Sequence, residues 1–292
     1  RSQTKEMDEN EFYNYHRSYY GGILTLLRMS KVENSNFQKQ QEDRFNFILL
    51  NEFINKLGLD YFKEGNQGSI SEYLNSEIGK FDLLETLLFN NNIYFKNFFL
   101  SYFKYGLVSQ NIELYDIYDG ELTNEQKDEI IKVIGKQIKI GNKDYKPYYL
   151  ALKRLDIPDS ELEKYTAKHQ ALQKLVKGNE APGFSYPDQD GKIVTLKDLK
   201  GKLVIIDVWA TWCGPCRAQL PIIKELEEKY KDKGVAFVSV SIDDLKYIDK
   251  WKKMIEEKEM VGIQLIAENA WKSDIAKKYL ITAIPRFILI ES

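Results

Sequence analysis

Cys213 and Cys216 are the residues of this 292-residue sequence best suited to chemistry, and they are its only cysteines. They follow a short apolar run, residues 203–209, which is typical of a buried β-strand and places the pair at a strand-to-helix junction. Unpaired backbone N–H groups and the positive end of the helix dipole favour a thiolate there, and the thiolate attacks disulfides. The spacing lets the two sulfurs form and break a disulfide without unwinding the helix.

The residues around the cysteines fit this interpretation. Pro215 would stand in the first helical turn, where the N–H group that proline lacks would have had no partner. Gly214 lies beside it, and Trp212 directly precedes Cys213. Because both cysteines belong to the pair, the chain cannot pass electrons to it from a second dithiol of its own. We therefore expect an external thiol reductant.

Asp207 is the one acid in the apolar run, six residues before Cys213. Burial disfavours the charged form of a carboxyl group and raises its pKa, so Asp207 could carry a proton near neutral pH. The functional interpretation is that Asp207 exchanges a proton with Cys216 during disulfide exchange. The alternative is an acid at a strand end that is hydrogen-bonded to a neighbour or to water.

These residues and the segments around them resemble the TlpA/ResA-like thiol-disulfide oxidoreductases of the thioredoxin superfamily. The resemblance covers about residues 180–292 and includes the entry segment 181–184, a hairpin turn at Asp190-Gly191, segment 196–202 and the Trp-Cys-x-x-Cys site. It implies an α/β thioredoxin-like fold. In that fold we expect helices over 217–230, kinked at Pro221, and over 244–258 and 273–279, and strands over 235–242, 264–267 and 286–290.

Pro285 enters the site only through this resemblance. It implies a cis peptide bond between Ile284 and Pro285, with the proline facing the cysteines and the preceding backbone free to pair with a substrate strand. The fold would normally continue into an edge strand and a terminal helix, which the sequence up to Ser292 does not contain. We therefore expect a further C-terminal segment.

The first part of the chain predicts an all-α domain over residues 1–176, followed by a linker at 177–183 and the redox domain at 184–292. Thr123 and Gln126 have the spacing of a capping box for a helix to about Lys139, and another helix is expected from Pro158-Asp159-Ser160 to about Val176. Helical spacing of apolar residues predicts further amphipathic helices, at Phe45, Ile48, Leu49, Phe53 and Leu57, and at Phe81, Leu84 and Leu88.

The segment from Tyr94 to Tyr105 is rich in phenylalanine and tyrosine. These aromatic residues could line a groove for an apolar client segment, or they could fill a core. The helical spacing favours the core.

Composition excludes several function classes. A net charge of −2 gives no electrostatic basis for binding nucleic acid or an acidic membrane, and no stretch approaches the ~20 apolar residues of a membrane span. Of the two histidines, His16 and His169, neither has a second ligand at metal-binding spacing. We expect no metal and no cofactor beyond the redox-active disulfide.

The resulting hypothesis is a thiol-disulfide oxidoreductase with protein disulfides or dithiols as substrates. The residues between the cysteines are those of thioredoxin, which favours a reductase. The resemblance implies the bacterial periplasm or cell envelope and is compatible with membrane anchoring of the full-length protein. One alternative is a scaffold protein that binds partners through its helical domain. Another is a thiol peroxidase, because peroxiredoxins share the entry segment and hairpin, but Ile206 and Ala210 replace the proline and the threonine or serine of their cysteine frame.

Overall fold

The computed structural model describes residues 7–30, 34–62 and 68–291. The chain forms two compact units, residues 1–167 and 168–292. The first unit ends within the last of its helices, so the segment expected as a linker, 177–183, lies inside the second unit. A largely helical region therefore precedes a unit that contains the β-strands, as the sequence predicts.

The region before the β-strands is built from helices. In chain order they are α1 (Glu9–Met29), α2 (Ser35–Leu57), α3 (Ser69–Ile78), α4 (Thr86–Asn91), α5 (Ile93–Val108), α6 (Ile112–Gly120), α7 (Asn124–Gly135), α8 (Tyr145–Arg154) and α9 (Asp159–Lys174).

Helix α5 supplies much of the helical core. The Asn92 side chain caps its N-terminus by accepting the N–H groups of Tyr94 and Phe95. Four phenylalanines are fully buried on it, namely Phe95 and the residues three, four and eight positions after it, Phe98, Phe99 and Phe103. The expectation that this aromatic segment fills a core is confirmed.

Two expectations for the helical region meet different outcomes. The capping box of Thr123 and Gln126 is present, although the helix it opens ends at Gly135 rather than near Lys139. The expected helix through Phe81, Leu84 and Leu88 is wrong, because only Leu88 lies in a helix. The Asp82 carboxylate accepts the backbone N–H of Leu84 at 2.8 Å, which stabilises a turn before α4.

The second unit contains a short hairpin and a four-stranded sheet. The antiparallel hairpin joins β1 (Ser185–Pro187) to β2 (Ile193–Thr195). The sheet has the order β5-β4-β3-β6, with bounds β3 (Leu203–Trp209), β4 (Val235–Ser241), β5 (Ile263–Ile266) and β6 (Arg286–Glu291). Its helices are α10 (Gly214–Tyr230), α11 (Ile248–Glu257) and α12 (Asp274–Lys278).

The register of the sheet determines where the site lies. Strands β3, β4 and β5 are parallel, so their carboxyl ends meet at one edge of the sheet. Strand β6 is antiparallel to β3 and pairs Arg286 with Val208, so β6 begins at that same edge. In β3 the side chains of Val204, Ile206 and Val208 are fully buried, which fixes the strand rigidly beneath the loop that carries Cys213.

The bounds of these elements follow the sequence closely. Strand β3 has the predicted bounds, whereas the helix expected over 244–258 is a 3₁₀ turn at Leu245–Tyr247 followed by α11. The Asp244 carboxylate accepts the N–H of Lys246 and caps that turn. Within the described residues, every helix falls short of the length or the apolar character needed to cross a lipid bilayer.

Candidate active site

Cys213 and Cys216 form a disulfide at the N-terminus of α10, with their Cα atoms 5.2 Å apart. Cys213 is the N-cap residue, and its Sγ accepts the backbone N–H of Cys216 at 3.1 Å. Gly214 and Pro215 occupy the first turn, where proline leaves no N–H without a partner. The N–H of Cys216 in the first helical turn therefore points towards the sulfur of Cys213 and favours its thiolate after reduction.

The disulfide is part of the core of its unit, whereas the residue before it faces solvent. Cys213 and Cys216 are 4% and 1% exposed, and Trp212 is 52% exposed. Both cysteines pack with apolar residues of β3, including Val208 and Trp209, and with Ala210 directly after it. The pair is thus held in fixed surroundings next to an exposed indole ring.

Asp207 lies in β3 and is only 4% exposed. Burial raises the pKa of its carboxyl group to about 7. Neither carboxyl oxygen has a hydrogen-bond partner among the described residues, so no contact offsets the cost of charging it. The raised pKa expected from the sequence is therefore present.

The Asp207 side chain faces the side of the sheet on which α10 packs. It borders a cavity of about 40 Å³ that is lined also by Ile223 and Leu226 of α10. Cys216 is in the first turn of the same helix. The carboxyl group and the second cysteine are thus on the same face of the sheet, and an exchange of protons between them stays a prediction.

Ile284 and Pro285 lie at the sheet edge that carries the cysteines. Their peptide bond is cis, as the resemblance implies. Arg286, the next residue, pairs with Val208 near the carboxyl end of β3. The structure therefore brings Pro285 to the end of the strand that leads into the redox loop, and its contact with a substrate stays a prediction.

One residue that positions the redox loop could not be identified from the sequence. Asp243 follows β4 and is fully buried. Its carboxylate accepts the backbone N–H and the hydroxyl of Thr211, both at 2.8 Å, and the hydroxyl of Ser241 at 2.7 Å. These bonds fasten the segment before Cys213 to the neighbouring strand. An acid directly after a predicted buried strand was the only signal in the sequence.

The two histidines lie in α1 and α9. His16 packs against Phe12, with ring centroids 4.2 Å apart, and burial lowers the pKa of its imidazole. His169 is likewise buried. Among the described residues, no group of three or more His, Cys, Asp or Glu side chains is placed to hold a metal ion.

Comparison with known proteins places the second unit in a family. Residues 176–292 match the Redoxin family model. The thiol-disulfide oxidoreductase ResA of Bacillus thuringiensis strain Al Hakam is 46% identical over 72 residues, which are 25% of this chain and 42% of that protein. ResA of Bacillus thuringiensis subsp. konkukian is 36% identical over 120 residues, which are 41% of this chain and 66% of that protein.

Solved structures match a similar share of the chain. The thioredoxin domain of a thiol-disulfide oxidoreductase from Bacteroides vulgatus is 33% identical, with a TM-score of 0.37, over 40% of this chain and 81% of that one. The chain spans less than half the length of the first ResA relative and about two thirds of the second. The resemblance stated from the sequence is confirmed: residues 176–292 match the Redoxin family, and the chain is similar to the ResA thiol-disulfide oxidoreductases.

Proposed function

We propose that this chain is a thiol-disulfide oxidoreductase that reduces disulfides of protein substrates. The observation that carries the proposal is the Cys213–Cys216 disulfide at the N-terminus of α10, where the N–H of Cys216 is directed at the Cys213 sulfur. The identity with ResA proteins supports it. The pair itself is the redox centre, and the reaction needs no further cofactor.

The reaction starts from the reduced pair. The Cys213 thiolate attacks one sulfur of the substrate disulfide, which forms a mixed disulfide and releases the other substrate sulfur as a thiolate. The Cys216 thiolate then attacks the Cys213 sulfur and releases the second substrate sulfur. The substrate gains the two electrons that the Cys213–Cys216 pair loses, and its two thiolates take up two protons, one that originates from the Cys216 thiol and one from solvent.

Asp207 would act in the second step, as the base that accepts the proton of the Cys216 thiol. A carboxyl group with a pKa of about 7 is present in both protonation states near neutral pH, which suits an acid and base of this kind. It lies on the face of the sheet where α10 packs, the helix that carries Cys216.

The direction of electron flow and the cellular location of the protein are inferred from features that are less specific than the disulfide itself. The thioredoxin-like Gly-Pro dipeptide between the cysteines favours a reductant, and an external thiol must supply the electrons because the chain has no other cysteine. The kinship with ResA proteins supports the bacterial cell envelope or periplasm, and it is compatible with membrane anchoring of the full-length protein.

Trapping of mixed disulfides tests the proposal. The Cys216→Ser variant should accumulate substrate proteins bound covalently to Cys213, because the resolving thiol is missing. The Cys213→Ser variant is the matched control and should trap far less. Absence of adducts with both variants would support the scaffold alternative, and consumption of peroxide without disulfide exchange would support the peroxidase alternative.

The reduction potential of the pair tests the direction. A value near that of thioredoxin, about −270 mV, is expected for a reductase, whereas a value near that of DsbA, about −120 mV, would make the chain a disulfide donor. Equilibration with dithiothreitol or glutathione buffers, followed by thiol trapping, measures it.

A further inference from the structure

A second exposed tryptophan stands beside the redox site. Trp271 lies in the 3₁₀ turn Ala270–Lys272, between β5 and α12. Its ring centroid is 6.2 Å from that of Trp212, and the two ring planes are inclined by 45°. Trp271 is 41% exposed and Trp212 is 52% exposed, so both indoles retain surface that a partner could contact. Adjoining exposed aromatic rings are typical of a binding surface.

The backbone that carries Trp271 is held in an uncommon conformation. Asn269 and Ala270 both have positive φ, at 64° and 49°. Asparagine tolerates this left-handed region, but alanine rarely adopts it, because its Cβ crowds the backbone. Such a conformation persists only where surrounding contacts impose it, and it is concentrated at functional sites.

Those contacts lie on both sides of the turn. Upstream, the Ala267 N–H donates to the carbonyl of Ser241 at 2.8 Å, which extends the pairing of β5 with β4. Downstream, the Ile275 N–H donates to the hydroxyl of Tyr186 at 2.8 Å, which ties the start of α12 to the hairpin. Trp271 is thus presented next to Trp212 by a segment that is fastened at both ends, and little order must be gained on binding.

We propose that Trp212 and Trp271 together form one apolar surface that binds an apolar side chain next to the reacting cysteine of a polypeptide substrate. The inference rests on the proposed function and adds its substrate class, which is polypeptide disulfides flanked by apolar residues. Trp212 directly precedes Cys213, so a side chain held against the indoles belongs to the segment whose sulfur meets the Cys213 sulfur. The two rings offer adjoining apolar surfaces, whereas a small polar side chain such as serine would gain little from them.

A competition between two peptides tests this. The probes are symmetric peptide disulfides of the same length, one with leucine and one with serine on each side of its cysteine. Each is reduced by the full chain, whose pair is first reduced with dithiothreitol and freed of it, and peptide thiols are counted by chromatography. Two electrons pass from one Cys213–Cys216 dithiol to one peptide disulfide. The wild-type protein should reduce the leucine peptide about tenfold faster than the serine peptide.

The Trp271→Ala variant should lower this ratio to about two, because one of the two rings that form the surface is removed. Trp271→Phe keeps an aromatic ring there and should give a ratio between the two. The matched control is Tyr230→Ala, which removes an aromatic ring that is 37% exposed at the far end of α10 and should leave the wild-type ratio.

The outcomes separate this inference from the proposed function. An unchanged ratio in Trp271→Ala overturns the inference, as does an equal loss of rate on both peptides. If the alanine variant does not fold, an unchanged ratio in Trp271→Phe overturns it. A wild-type protein that reduces both peptides equally well also contradicts the inference but leaves the proposed function standing. A wild-type protein that reduces neither peptide contradicts the proposed function itself.

Discussion

No hydrogen bond among the described residues offsets the burial of the Asp207 carboxyl group. The free energy of unfolding should therefore be lower when this group is charged. With a pKa of about 7 in the folded state and 3.8 in the unfolded chain, the folded state holds the extra proton between these values. The free energy of unfolding should therefore fall as pH rises from about 4 to about 7 and stay level beyond. A shift of about three pKa units corresponds to roughly 4 kcal/mol.

We expect Asp207→Asn to remove this fall and to be the more stable protein at pH 8, by up to about 4 kcal/mol. Urea unfolding of the oxidised protein at a series of pH values measures it. Asp190→Asn, which changes an exposed acid in the hairpin turn, should retain the wild-type pH dependence. A variant at Asp207 with an undiminished pH dependence would contradict the raised pKa.

Kinetics at the same residue test its chemical role. Asp207→Asn should slow the attack of Cys216 on the mixed disulfide more than the attack of Cys213 on the substrate, because the amide cannot accept the thiol proton. In the wild type, the rate of the Cys216 step should rise through about pH 7 as Asp207 loses its proton. Stopped-flow measurement of the two steps decides the matter, and equal slowing of both would exclude the proton-transfer role.

Between elements, Asp243 joins the end of β4 to the loop that carries the cysteines. Thr211→Val keeps the shape of the side chain but removes the hydroxyl that donates to the Asp243 carboxylate. We expect a loss of about 1–3 kcal/mol in the free energy of unfolding, because a buried acceptor loses a partner.

Thr211→Ser keeps the hydroxyl and is the control. Urea unfolding should show a smaller loss for serine than for valine. The reverse order would mean that the methyl group of Thr211, and not its bond to Asp243, stabilises the loop.

The elements themselves show what a sequence can reveal and what it cannot. Strand β3, the place of Pro215 in the first turn of α10 and the capping box at Thr123 depend on neighbouring residues, and all three could be predicted. Helix α10 begins at Gly214, three residues before the expected start at Arg217. The bond between Thr211 and Asp243 joins residues 32 apart in the sequence, and the meeting of Trp212 with Trp271 joins two loops. Such contacts depend on strand order, which apolar periodicity alone does not specify. At Phe81 and Leu84 the sequence predicts a helix that does not form. The apolar residues there have helical spacing, but the chain makes a turn.

Across the whole molecule, each unit has its own buried core. Phe99 is fully buried in the helical unit, whereas the side chains packed around the cysteines all come from residue 175 onwards. Phe99→Ala should therefore destabilise the helical unit by about 3–5 kcal/mol. The reduction potential of the Cys213–Cys216 pair should not change.

Far-UV circular dichroism in urea measures the first effect, and thiol trapping in redox buffers measures the second. Val208→Ala, in the core around the cysteines, is the contrasting variant and should destabilise the redox unit. A shift in potential of more than about 30 mV in Phe99→Ala, which is a tenfold change in the equilibrium constant, would contradict the independence of the two cores.

The capping of α10 by the Cys213 sulfur links oxidation state to folding through a thermodynamic cycle. Any preference of the folded chain for the thiolate, compared with the unfolded chain, appears twice: as a higher reduction potential and as a greater stability of the dithiol form. For every 30 mV by which folding raises the potential, the dithiol protein should be about 1.4 kcal/mol more stable than the disulfide protein. Denaturation curves of the two forms would then measure the electron affinity of the site without any substrate.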